Sequence, residues 1–311
     1  MASVDFFTQE LGPEIEDPDE ETFLLFAQDI PSQNLGFVDS AASSLELTVA
    51  GKDLTVHQSP GILSSTRSGG TTGAVVWKVT PLFADWAASP GNILARSGAL
   101  SRSSAVLELG CGISAIVGLV LAPAVSSYTL TDQAYVSRLV EQNIQENRAA
   151  LVSGGGGRSS AKSKRAGGGG GGSGAQTAGS SLRFAPLDWE TDEVTGSLAG
   201  PARAGSFDLV IACDCIYNES LIEPLVQTCV DACALGRAPA GEGGGGAAAA
   251  ANAPCVCVVA QQLRDPEIFE SWVKRFCRSF HAWRIPDESL PQGLRSSSGF
   301  VVHVGVLKDL S

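Results

Sequence analysis

The chain has 311 residues, 44% of them hydrophobic, and a formal net charge of −12. That is enough apolar material for a large buried core, and the acidic balance argues against a phosphate-backbone binder, which needs clustered Lys and Arg. The longest apolar run, 115–125, holds a proline and is too short to cross a bilayer, and no basic segment followed by an apolar one opens the chain, so an intracellular protein of the cytoplasm or nucleus without a membrane partner is expected.

The charge is uneven. Residues 1–51 hold eleven Asp and Glu and no Lys or Arg, and the rest is nearly neutral with 22 acidic and 21 basic residues. Acidic runs of this kind are mostly solvated tails, so 1–44 reads as a flexible arm suited to a basic protein partner. Next, LELTVAGKDLTVHQ (45–58) alternates apolar and polar residues on either side of a Gly-containing turn, which predicts a hairpin. In 69–89 Val75, Val76, Val79, Leu82, Phe83 and Trp86 recur at helical spacing, and a helix there is expected to cover one edge of a sheet.

From Ala105 onward strands and helices alternate: AVLEL, ISAIVGLVLAP, SYTLTD, a helix over 135–150, LRFAPLDW, FDLVIACD, a helix in LIEPLVQTCVDACAL, CVCVVAQQ, a helix in PEIFESWVKRFCRSF, then HAWRIP and GFVVHVGVLK. Repeated βα units with short, continuously apolar strands imply a parallel sheet covered on both faces. Two inserts, 152–181 with twelve glycines and 236–254 of mostly Gly and Ala, have linker composition and fall between a helix and the next strand. The basic RSSAKSKR in the first needs no role beyond that. The domain therefore runs over 45–308.

Eight cysteines lie in apolar, strand-like runs and read as reduced core residues. The pairs Cys213-Asp-Cys215 and Cys255-Val-Cys257 sit on segments that suit neighbouring strands, but structural zinc sites use knuckles in loops, and no metal site is expected.

The segment Gly110-Cys111-Gly112-Ile-Ser-Ala115 follows a strand, opens a helix and satisfies G-x-G-x-x-G/A, with Asp132 at the end of the next strand. Taken alone, that pattern places a pyrophosphate on the helix and the acid on a ribose hydroxyl. Glu108, two residues ahead of Gly110, opposes a pyrophosphate, whose charge it would repel by an energy of order kcal/mol at several ångström. S-adenosylmethionine carries a sulfonium and an ammonium against one carboxylate, so Glu108 suits its ammonium, and Asp132 its ribose.

With these residues in place the sequence resembles the seven-strand methyltransferases of lysine-modifying family 16. The resemblance rests on TGAVVW ending in Trp77, VLELGCG (106–112), LTD ending in Asp132, NIQEN (143–147), LDW ending in Trp189 and FDLVIACDCIY (207–217), whose D-x-x-Y, Asp214 to Tyr217, is the most specific element. It implies an α/β fold, a Rossmann-like seven-stranded sheet with helices on both faces, here preceded by the N-terminal hairpin. It also implies that S-adenosyl-L-methionine is held by Trp77, Glu108, Gly110, Cys111, Gly112, Asp132, Trp189 and Cys213, and that Asp214 and Tyr217 serve the acceptor. Within the family the chain is similar to enzymes that methylate a lysine of a large-subunit ribosomal protein. The substrate expected is thus a basic ribosomal protein, with no direct nucleic-acid contact and a monomeric enzyme. RNA or a small molecule is the alternative acceptor; an N/D-P-P-Y run would signal amino groups of bases, and the segment here reads DCIY. Asp214 is expected to attract and orient the incoming amine, or, in a purely structural role, to cap the helix that follows.

Overall fold

The N-terminal segment is folded onto the body rather than loose. A computed structural model of the chain describes residues 2–32, 34–65, 70–152, 182–200, 205–235 and 253–309; apart from their end residues, both Gly-rich inserts lie outside these. Ser3 caps α1 (Val4–Leu11), accepting from the Phe6 N–H at 3.0 Å, and Asp17 caps α2 (Pro18–Phe26) with proline at its first position. Phe7 and Leu25 are fully buried, Phe7 against Trp283 at 5.5 Å between ring centroids. Part of the acidity is also spent on pairing: Glu10 meets Arg96 at 2.6 Å, Glu14 meets His281 at 2.8 Å, and buried Glu21 meets His303 at 2.9 Å. The expectation of a flexible arm over 1–44 is corrected accordingly: Phe7 of α1 and Leu25 of α2 are buried, and so are the polar Glu21 and Thr22 of α2.

The predicted hairpin is β1 (Ser44–Val49) and β2 (Lys52–His57), antiparallel. Its two turn residues, Ala50 and Gly51, have φ of 51° and 73°, as a two-residue hairpin turn with two left-handed positions requires. After the short α3 (Pro60–Leu63) come α4 (Val79–Ala88) and α5 (Ile93–Arg96). The alternating unit then runs β3 (Ala105–Leu109), α6 (Ile116–Leu121), β4 (Ser127–Asp132), α7 (Ser137–Glu146), α8 (Arg148–Val152), β5 (Leu182–Pro186), β6 (Leu209–Cys213), α9 (Ile222–Ala234), β7 (Val256–Gln262), α10 (Pro266–Ser279), β8 (Phe280–Arg284) and β9 (Phe300–Leu307).

The large sheet has the order β5-β4-β3-β6-β7-β9-β8. Its first five strands are parallel, and β9 runs antiparallel to both β7 and β8. One face is covered by α4, α6, the hairpin and α1, the other by α2, α9 and α10. Helix α4 does not sit at an edge as expected; it lies beside α6 against β6 and β7. The reason is that Val79, Thr80, Phe83, Ala84, Trp86 and Ala87 are all buried, a circumference too apolar for a border position.

Two asparagines of the NIQEN segment tie the hairpin on. Asn143 accepts from the His57 N–H at 2.8 Å and donates to its carbonyl at 2.9 Å, and Asn147 does the same for Thr55 at 3.0 and 2.8 Å. Asn143 also donates to the Ile113 carbonyl at 2.7 Å, which connects the hairpin to the glycine loop. Among the described residues no helix is long and apolar enough to cross a membrane.

Candidate active site

Strand order reverses between β3 and β6, which leaves a crevice at their carboxyl ends where open α/β sheets bind ligands. A cavity of about 470 Å³ fills it, a size suited to a cofactor. Gly110, Cys111 and Gly112 enter it from β3, Asp132 from β4, Asp188 and Trp189 from β5, Cys213, Asp214 and Tyr217 from β6, and Arg264 from β7. Trp77 closes the front.

The two glycines are required by geometry. Gly110 has φ +66°, and a Cβ there would lie 2.7 Å from the Cys215 sulfur and 3.0 Å from the Trp189 ring. Gly112 has φ +58°, and its Cβ would lie 3.0 Å from the Gly73 carbonyl oxygen. Only glycine tolerates both the left-handed backbone and the contact. Beside them the Asp132 carboxylate accepts from the Gly112 N–H at 2.9 Å and the Gln133 N–H at 2.7 Å. Burial pushes its pKa up to about 6 against the pull of those two amides.

Glu108 departs from expectation. It pairs in register with Leu130 on one side and Ile211 on the other, so its side chain stands in the middle of the sheet on the same face as Val106. It is buried, its Oε2 accepts from the Tyr128 hydroxyl at 2.6 Å, and it is not among the cavity-lining residues. Burial raises its pKa to about 7, with Tyr128 opposing and Asp132 adding to the shift. Its carboxylate is thus engaged by Tyr128 within the sheet and does not line the cavity.

The tryptophans are held differently. Trp77 donates its indole N–H to the Thr72 carbonyl at 3.0 Å, with Phe37 at 4.5 Å between centroids and the Arg264 guanidinium 4.9 Å above its ring. Trp189 packs on Gly110, and its buried indole N–H has no partner among the described residues.

Asp214 sits directly after β6 in a left-handed conformation, φ +59°, an uncommon and costly choice for a residue with a Cβ. Its N–H donates to the Ala260 carbonyl at 2.7 Å, and both its carboxylate oxygens are taken by Arg264 at 2.6 Å each. Gln262 adds a longer backbone N–H at 3.3 Å. The cap of the following turn comes from Asn218, whose Oδ1 accepts from the Ser220 N–H at 3.1 Å, so Asp214 has no capping role. Tyr217 is 38% exposed at the cavity mouth; its phenol faces Thr72 and is pushed up by burial. Cys213 and Cys215 flank the cavity, whereas Cys255 and Cys257 pack with Cys229 and Cys233 in the core under α9.

A sequence model described as lysine methyltransferase matches residues 57–154 and 174–236, more than half of the chain. The chain belongs to the lysine methyltransferase family. It is 32% identical over 193 residues to ribosomal lysine N-methyltransferase 5 of Zygosaccharomyces rouxii, covering 57% of this chain and 59% of that one. It is 26% identical over 262 residues to a Schizosaccharomyces pombe protein named diaminohydroxyphosphoribosylamino-pyrimidine deaminase, covering 84% of this chain and 51% of that protein. The chain thus spans between half and two thirds of the length of these curated relatives. Among solved structures, the N-methyltransferase NodS of Bradyrhizobium japonicum WM9 with S-adenosyl-L-homocysteine is similar at a TM-score of 0.37 and 14% identity, covering 71% of this chain and 90% of that one.

The donor of this family, S-adenosylmethionine, fits what the cavity offers. The cradle at Gly110 and Gly112 has no room for a Cβ, and Trp189 keeps an unpartnered indole N–H beside it. Asp132, Asp188, Glu190 and Asp214 outnumber the single Arg264 among the charged lining residues, which suits a ligand of net positive charge. Of the residues read from sequence, Trp77, Gly110, Cys111, Gly112, Asp132, Trp189, Cys213, Asp214 and Tyr217 meet in this one cavity. Sequence reading missed Arg264, and also Gly73, whose carbonyl accepts from the Ile113 N–H at 2.9 Å and so docks the front loop on the glycine loop. A basic residue two positions after the end of β7 was the available signal for Arg264.

Proposed function

We propose that this chain is an S-adenosylmethionine-dependent protein-lysine N-methyltransferase acting on a basic ribosomal protein of the large subunit. The observation that carries the reading is the joint lining of one cavity by the glycine loop and the D-x-x-Y residues Asp214 and Tyr217. The resemblance to ribosomal lysine N-methyltransferase 5 supports the substrate class.

When bound, S-adenosylmethionine supplies an electrophilic methyl group on a positively charged sulfur. The work left to the chain is placement and the exclusion of water. In this reading Gly110 to Gly112 let the backbone approach the ligand, Asp132 takes the ribose hydroxyls, and Trp77 and Trp189 wall the cavity. Cys213, a small side chain behind them, leaves the passage open. Asp214 and Tyr217 line the acceptor side, where the carboxylate still has lone pairs for an amine N–H and the phenol borders the entrance. An ordinary lysine has a pKa near 10.4, so the acceptor must shed a proton before it can act as a nucleophile.

The test is tritium transfer from labelled S-adenosylmethionine into large ribosomal subunits from yeast lacking its ribosomal lysine N-methyltransferase 5, with Asp214→Ala as control. One labelled protein band, lost in the variant while the cofactor still binds, is the expected result. Label confined to RNA or small molecules would overturn the substrate, and full activity of the variant would overturn the role of Asp214.

A further inference from the structure

Resting on the lysine reading above, we propose that Arg264 is a positioning residue that neutralises Asp214 and keeps the acceptor amine in its uncharged form. Asp214 would otherwise be a bare carboxylate at the acceptor side of the cavity, and a bare carboxylate stabilises an ammonium, the form that cannot react. The structure holds it in a closed arrangement. Both its oxygens are engaged by the guanidinium at 2.6 Å, and the side-chain exposures are 2% for Asp214 and 21% for Arg264. The guanidinium is itself fixed from three other sides, by the Trp77 ring at 4.9 Å, the Gln262 side-chain oxygen at 3.1 Å and the Leu35 carbonyl at 3.4 Å. This is a planar, permanently charged group in bidentate contact, which lysine would not reproduce in geometry but would in charge.

The consequence concerns the substrate nitrogen. A cation fixed beside Asp214 makes an incoming ammonium less welcome than a free amine. Only the free amine has the electron pair that forms the new nitrogen–carbon bond as the pair of the sulfur–carbon bond stays on sulfur. One proton passes to solvent before transfer, and the product carries the charge as a methylammonium. The other titratable groups of the cavity are Cys111 between the two loop glycines, Asp132 at the end of β4, Tyr135 just beyond it, Asp188 and Glu190 after β5, and Cys213, Cys215 and Tyr217 at and after β6. They are unchanged by substitution at Arg264, so Asp132 contributes the same titration near pH 6 to every variant.

The experiment compares the wild type, Arg264→Gln and Arg264→Lys. With yeast large subunits as substrate, Arg264→Gln is expected to move the acidic limb of the kcat profile upward by roughly one pH unit, with a lower KM and about tenfold lower kcat at pH 7, and Arg264→Lys to keep the limb in place. A second readout does not depend on the ribosomal substrate. At pH 7 n-butylamine is almost wholly protonated, and calorimetry in the presence of S-adenosylhomocysteine should find it bound about tenfold more tightly by Arg264→Gln than by wild type or Arg264→Lys. Tryptophan fluorescence confirms that all three bind S-adenosylhomocysteine. If subunits are not methylated but the butylammonium ordering holds, the substrate reading fails and the role of Arg264 stands. Equal butylammonium binding, or a uniform loss of kcat with an unmoved pH limb, would overturn the inference and leave Arg264 a structural clamp.

Discussion

The carboxylate of Glu21, carried by α2, lies 2.9 Å from Nε2 of His303 in β9, and both side chains are buried. The Arg284 guanidinium of β8 approaches the same carboxylate at 3.5 Å. Burial alone would raise the pKa of Glu21, but His303 and Arg284 together hold it below the ordinary glutamate value. An N-terminal element is thereby bonded to the antiparallel end of the sheet.

Glu21→Ala should destabilise the protein by about 2 to 4 kcal/mol, because it leaves a buried partner without its counterpart. Deleting residues 1–30 should do more, exposing Trp283 and the α10 surface that α2 covers, and lower Tm by at least several degrees. Urea and thermal unfolding check both. A truncated chain as stable as the full one would contradict the packing described here.

Glu108 makes stability depend on pH in a defined direction. Its folded pKa of about 7 lies above the ordinary value of 4.5. The stability it permits is therefore fully present below about 4.5 and is lost as pH rises through 7, by an amount on the order of 3 kcal/mol. Glu108→Gln retains the Tyr128 hydrogen bond and cannot ionise, so its urea midpoint should exceed that of wild type at pH 8 and match it near pH 4. Asp132, raised to about 6, adds a slope of the same sign to both proteins. Parallel pH curves would show that Glu108 does not titrate in this range.

Gly110→Ala should weaken S-adenosylhomocysteine binding at least tenfold and cost about 1 kcal/mol or more of stability, since the added carbon meets the Cys215 sulfur at 2.7 Å at a left-handed position. Calorimetry against the wild type reads the affinity, and circular dichroism confirms that the fold persists. Wild-type affinity in this variant would remove the glycine cradle from the ligand contacts.

Trp189→Phe separates packing from hydrogen bonding. The buried indole N–H has no partner among the described residues, so its removal should leave the apoprotein as stable or slightly more so, while lowering affinity for S-adenosylhomocysteine about tenfold if the ligand supplies the partner. Unchanged affinity would mean that the ligand leaves this N–H alone.

The central strands were legible in the sequence because they are buried on both faces and read as continuous apolar runs, AVLEL and LVIAC among them. The glycine loop was legible because its residue types are dictated by backbone shape. The position of Glu108 was legible too, though it was read otherwise: a strand buried on both faces places every alternate residue inside, a carboxylate included. The N-terminal helices were hidden by their charge, although Ser3 and the Asp17-Pro18 pair are helix-start signals. Arg264 escaped because its contact with Asp214 spans fifty residues and arises only when β7 pairs with β6 in the register that sets Ala260 beside Cys213. No local pattern encodes that distance.

The side-chain amides of Asn143 in α7 and Asn147 directly after it, which bracket His57 and Thr55, have a meaning for the chain's behaviour among its own copies. A two-stranded ribbon normally presents a free rim of N–H and C=O groups on which another molecule can add a strand. Asn143 and Asn147 occupy that rim as if they were a third strand, and no second chain can dock at those rungs without first displacing them. The β2 edge of the hairpin is thus shielded by the same residues that anchor it beside the glycine loop.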